Sequence, residues 1–152
     1  MTFAWSPDGR EVAVAWSEAG NPKVHVAAAD GTASERPRLL FDSDLELHPA
    51  DWTPDARGLI VANGAREKYD IFIQRPGETR PTPLFAEPWN EHHPALSPDG
   101  RWLAYVSNET GQDEVCLTAM DRPVNSPPLT TGGGVAPLWS PDGRTLYYWR
   151  GW

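Results

Sequence analysis

The chain spells "WSPDGREVAV" from Trp5 to Val14 and "WSPDGRTLYY" from Trp139 to Tyr148. Between them stand "WTPDA" at 52–56 and "LSPDG" at 96–100. The four prolines, Pro7, Pro54, Pro98 and Pro141, are spaced by 47, 44 and 43 residues. A period in the forties, with several short strands per unit, is the signature of propeller blades. It divides the chain into units of roughly 1–46, 47–91, 92–134 and 135–152 within a single domain.

The lettering has a physical cause. Proline presets φ near −65° at the second position of a turn, and the Ser or Thr before it hydrogen-bonds the turn backbone. Aspartate suits the next position, and glycine then takes the left-handed conformation that lets a hairpin close with a bulge. Pro7, Asp8 and Gly9 therefore mark a tight turn between antiparallel strands. So do Pro54 with Asp55, Pro98 with Asp99 and Gly100, and Pro141 with Asp142 and Gly143. Ala56 stands where the other repeats carry glycine, and the pattern predicts a positive φ there, at a cost of about 1 kcal/mol.

The segment after each turn reads as strand: "EVAVAW", "GLIVAN", "WLAYVS" and "TLYYW". A second strand comes next in three units ("KVHVAA", "YDIFIQ", "DEVCLTAM"), then an outer one around "PRLLF", "TPLFA" and "PPLTT". Period-two alternation of aromatic and β-branched residues supports these assignments. The expectation is an all-β fold of four-stranded antiparallel blades, about three and a half of them, ending at "YYWRGW". An open array leaves edges and apolar faces uncovered, so a homo-oligomer, most simply a dimer, is expected to complete the ring.

Composition narrows the function classes. No apolar run approaches the ~20 residues that span a bilayer. The net charge of −8 argues against a nucleic-acid partner, which needs clustered Lys and Arg. Cys116 is the single cysteine, so an internal disulfide and a cysteine zinc site are excluded. "MTFAWSPDG" has no basic start followed by an apolar stretch. That points to the cytoplasm, or to the periplasm or exterior if a leader lies outside this chain.

The run from Pro94 to Val115, "PALSPDGRWLAYVSNETGQDEV", resembles the TolB-like, WD-repeat-like β-propeller blades of bacterial proteins. The stretch 84–117 looks like the propellers fused behind some bacterial serine/threonine kinases. The resemblance implies that the strand carrying Trp5, Trp52, Leu96 and Trp139 is innermost. It also implies a platform for protein or peptide contacts, or a gate before a peptidase domain.

Candidate sites cluster near one repeat boundary. "ELHPADW" and "EHHPAL" set His48 and His93 before proline, with Glu46 and Glu91 two residues upstream. Superposed repeats would gather these four at one mouth of the channel, where His and carboxylate hold a divalent metal such as Mn or Zn. The alternative is that the histidines hydrogen-bond neighbouring blades. Trp89, Asn90, Glu91, His92 and His93 form a loop with an unrepeated aromatic, a candidate binding surface. Trp5, Trp52 and Trp139 read as packing between blades, and Trp102, Tyr105, Tyr147 and Tyr148 as core. Trp149 and Trp152 read as covering an edge or an interface. "TTGGGVAP" lacks the Lys-Ser/Thr of a phosphate loop, and no G-x-S-x-G elbow is present. The expected function is a non-catalytic binding scaffold without a cofactor. Its rivals are a metal-binding propeller or enzyme, and a propeller fragment with no evolved activity.

Overall fold

The computed structural model describes residues 2–16, 22–31, 37–64, 68–85 and 87–150. Among them there is no helix, and the strands form four antiparallel sheets. The first sheet runs β1 (Phe3–Trp5), β2 (Glu11–Trp16), β3 (Lys23–Ala28), β4 (Arg38–Phe41). The second runs β5 (Leu47–Trp52), β6 (Leu59–Asn63), β7 (Ile71–Gln74), β8 (Thr82–Pro83). The third holds β9 (Glu91–Leu96), β10 (Trp102–Ser107) and β11 (Glu114–Ala119), and the last β12 (Val135–Trp139) and β13 (Leu146–Trp149).

The third sheet departs from the expected four strands. Around "PPLTT" only a single bridge forms, from Cys116 to Pro128. Pro127 and Pro128 have no N–H to give to a ladder, which stops the strand. Leu129 is next in line, and its N–H does reach the Val115 carbonyl at 2.7 Å.

All four repeated turns are built alike. In the first, the Ser6 hydroxyl donates to Asp8 Oδ1 at 2.7 Å and accepts from Glu11 N–H at 2.9 Å. Asp8 Oδ1 also accepts from Arg10 N–H at 3.1 Å, and Gly9 N–H closes on the Ser6 carbonyl at 2.9 Å. The same set recurs at Thr53 and Asp55, at Ser97 and Asp99, and at Ser140 and Asp142. The aspartate is thus an acceptor hub rather than a mere turn former. Hydroxyl and amide donors hold these carboxyls below their ordinary pKa, Asp99 at about 2. Ala56 has φ 57°, as the repeat predicts.

Strand β1 packs on β5, β5 on β9, and β9 on β12. The first strand of every sheet is therefore the inner one, and the sheets are arrayed around that row. Between the sheets lie the cores. Leu59 and Val61 of β6 join Ala4, Ala13, Val24, Val26, Phe41, Leu47 and Trp52 in one cluster. Ile60, their neighbour on the opposite face, joins Ile71, Ile73, Phe85, Leu96, Leu103 and Tyr105 in the next. A strand buried on both faces reads as a continuous apolar run, which is why β6 is "LIVA".

Candidate functional site

The five loop residues before and within β9 meet separate fates. Asn90 is a strut: its Oδ1 accepts from Tyr69 N–H at 3.0 Å, and its own N–H donates to Asn108 Oδ1 at 2.9 Å. Trp89 is half-buried, and its enclosed indole nitrogen has no hydrogen-bond partner. Glu91 is wholly buried, while its N–H donates to the Tyr69 carbonyl at 2.8 Å and seals the second sheet to the third. His93 is exposed and His92 half-buried. Their Nδ1 atoms lie 2.6 Å apart, so one ring donates and the other accepts. His92 Nε2 is 3.4 Å from Asp113 Oδ1, and Tyr69 meets the His92 ring edge-on. Partial desolvation of the ring where it meets its neighbours, then the adjacent His92, lowers the His93 pKa although the residue as a whole is exposed. His93 also holds a left-handed φ of 49°, where β9 bulges. Of this group, the open surface is formed by the histidine pair with Tyr69 rather than by the whole loop.

The proposed metal quartet does not assemble. Pairing sets His48 opposite Ala62 and His92 opposite Val106, making His92, not His93, the counterpart of His48. Glu91 correspondingly takes the place of Leu47, not of Glu46. The bulges cause this: the extra residue falls at His93 and Pro94 in β9 but at Ala50 in β5. His48 instead ties the first two sheets, its Nδ1 3.1 Å from Thr2 Oγ1 and its Nε2 3.3 Å from Glu46. Among the described residues, no three His, Cys, Asp or Glu side chains are placed to hold a metal ion.

Two buried glutamates are treated in opposite ways. Neither carboxyl oxygen of Glu91 has a hydrogen-bond partner. Burial, reinforced by the charge of Asp70, pushes its pKa up to about 7. Glu114, which sequence reasoning passed over, accepts from Thr130 Oγ1 at 2.5 Å, Gln112 Nε2 at 2.6 Å, and the Gly132 and Gly133 amides at 2.8 and 3.0 Å. The Thr130 hydroxyl and then the Gly133 amide hold its pKa below the ordinary value. The glycine-rich run is therefore an anion nest filled by the protein's own carboxylate. Cys116 is buried and pushed up to about 11, so it stays a thiol at neutral pH and a poor nucleophile.

The inner row supplies the joints between sheets. Trp52 Nε1 donates to the Ala4 carbonyl at 3.0 Å, and Trp139 Nε1 to the Ala95 carbonyl at 3.0 Å. The middle joint has Leu96 instead of Trp. There Asp51, which holds the place of Ala95 in the next sheet, accepts from Leu96 N–H at 2.9 Å. Burial raises the Asp51 pKa, and that hydrogen bond opposes the rise. The offset between "HPADW" and "HPAL" is visible in the sequence; the shift of the bulge that absorbs it, and the partner of Asp51, are not.

At the two ends the joints stop. Trp5 is 56% exposed, and its indole N–H has no hydrogen-bond partner among the described residues. Leu138, Tyr147, Tyr148 and Trp149 are exposed on the last sheet. Tyr147 and Tyr148 are thus exposed, contrary to the core expectation: among the described residues no further sheet covers β13. Trp102 is also exposed, at the start of β10 beside the turn, whereas Tyr105 is fully buried and stacks on Phe85. Trp149 is 75% exposed among the described residues, and Trp152 lies outside them.

A family model described as the TolB beta propeller domain matches residues 1–151. The chain belongs to this family. The TolB-type chain is 30% identical over 120 residues to an uncharacterized protein of Agrobacterium fabrum strain C58, covering 76% of itself and 39% of that relative. A solved TolB-type structure from Agrobacterium tumefaciens superposes with a TM-score of 0.83 at 24% identity, over 97% of this chain and 52% of that one. Solved prolyl endopeptidases align with a TM-score of 0.67 at 15% identity, over 97% of this chain and 24% of theirs. The TolB-type chain spans about half the length of the first structure and two-fifths of the curated relative.

Proposed function

We propose that this TolB-type segment is a non-catalytic scaffold that binds protein or peptide partners and associates with itself to complete its ring. The observation that carries the reading is where apolar surface lies. Phe3 and Trp5 are exposed at one end of the array, and Leu138, Tyr147, Tyr148 and Trp149 at the other. Open sheet faces of this kind call for a cover. His93, His92 and Tyr69 supply the polar and aromatic contacts for a peptide at the start of β9.

Light scattering at micromolar concentration tests the association. The expected mass is twice 16.8 kDa. A monodisperse species of 16.8 kDa overturns it.

A further inference from the structure

Resting on that self-association, we infer that the joint is head-to-tail: Trp5 of one copy seats on the last sheet of another, its indole N–H donating to the Leu138 carbonyl. The chain already makes this joint twice. Trp52 and Trp139 each stand one residue before their turn, and each gives its indole N–H to the inner strand of the preceding sheet. Trp5 stands at the same place in the first sheet, directly before Ser6 and opposite Val12. Among the described residues no sheet precedes it.

The acceptor end is matched. Ala4, opposite Ala13, and Ala95, opposite Ala104, provide the two acceptor carbonyls. Leu138, opposite Tyr147, holds that position in the last sheet. Its side chain is 65% exposed, and with Pro137, Tyr147 and Trp149 it lines an open apolar hollow. A large donor ring without an acceptor at one end thus faces an acceptor strand without a ring at the other. Such a contact is heterologous, and two copies close it when each supplies both ends.

The test uses the full chain in a Cys116→Ala background, with Trp5→Cys in one preparation and Leu138→Cys in another. The two are mixed and treated with a short bis-maleimide. The proposal expects a covalent dimer in the mixture and none in either preparation alone. Dimers from Trp5→Cys alone or Leu138→Cys alone would mean face-to-face pairing, which overturns this joint while leaving self-association intact. A monomeric parent chain by light scattering overturns both. In the unlinked protein, Trp5→Phe keeps the ring but removes the N–H. The joint predicts a several-fold weaker dimer with unchanged far-ultraviolet circular dichroism, and an unchanged dimer affinity contradicts it.

Discussion

Gly100 lies against the ring of Pro54: a β-carbon on Gly100 would sit 2.6 Å from Pro54 Cδ, nearer than real contacts allow. The turn of the third sheet is thus packed on the turn of the second, and Gly143 approaches Pro98 in the same manner at 3.5 Å. Gly9, at the open end, has nothing within 4 Å. All three have positive φ, so alanine strains each by about 1 kcal/mol. Gly100→Ala adds an overlap with a ring tied to the backbone, costing about 1–3 kcal/mol more. Urea unfolding of Gly9→Ala, Gly143→Ala and Gly100→Ala checks the order, with Gly100→Ala the least stable.

Ala56 occupies the same turn position with φ 57°. Ala56→Gly relieves a left-handed alanine and is expected to stabilise the chain by about 0.4–1 kcal/mol, the unfolded-state entropy of glycine offsetting part of the relief. The denaturation midpoint should rise with the slope unchanged.

Glu91 gives stability a pH dependence of known sign. Its folded pKa, about 7, lies above the ordinary 4.5. The folded state therefore binds the proton more tightly, and stability present below pH 4.5 is lost as pH rises through 7. Glu91→Leu copies Leu47 of the preceding sheet and removes this loss. At pH 8 the variant is expected to exceed the parent by on the order of 1–3 kcal/mol. Thermal unfolding of both from pH 4 to 8 measures the difference, which should shrink toward the acidic end, where only the burial of an unpaired neutral carboxyl remains.

Glu114 behaves in the opposite sense. Its folded pKa is lowered, so its contribution is present above the unfolded value near 4.5 and is lost as pH falls. Glu114→Gln keeps the shape but weakens the acceptor for the Gly132 and Gly133 amides. Their hydrogen exchange is expected to quicken, and the variant should lose the parent's sensitivity to acid in this loop.

The repeat carried the architecture because turn chemistry is local: a Ser, Pro, Asp and Gly in sequence close a hairpin whatever surrounds them. Strand positions came from alternation for the same reason. The site was less legible. Glu46 and Glu91 look alike in sequence, but a one-residue difference in where each strand bulges sends Glu91 to the place of a buried leucine. Tyr147 and Tyr148 read as core because aromatic strands are usually covered, and only the position of the last sheet leaves them open. Three of the partners of Glu114, Thr130, Gly132 and Gly133, are 16 to 19 residues away, beyond any local pattern.

Indole N–H groups join the second sheet to the first and the fourth to the third, and proton–deuterium exchange of the tryptophan side chains, monitored by nuclear magnetic resonance, reads these joints directly. Trp52 and Trp139 should exchange slowly at every concentration, Trp149 fast, and Trp5 slowly only where the chain is dimeric. Fast exchange at Trp52 and Trp139, matching Trp149, would contradict the joints on which the array of sheets is built.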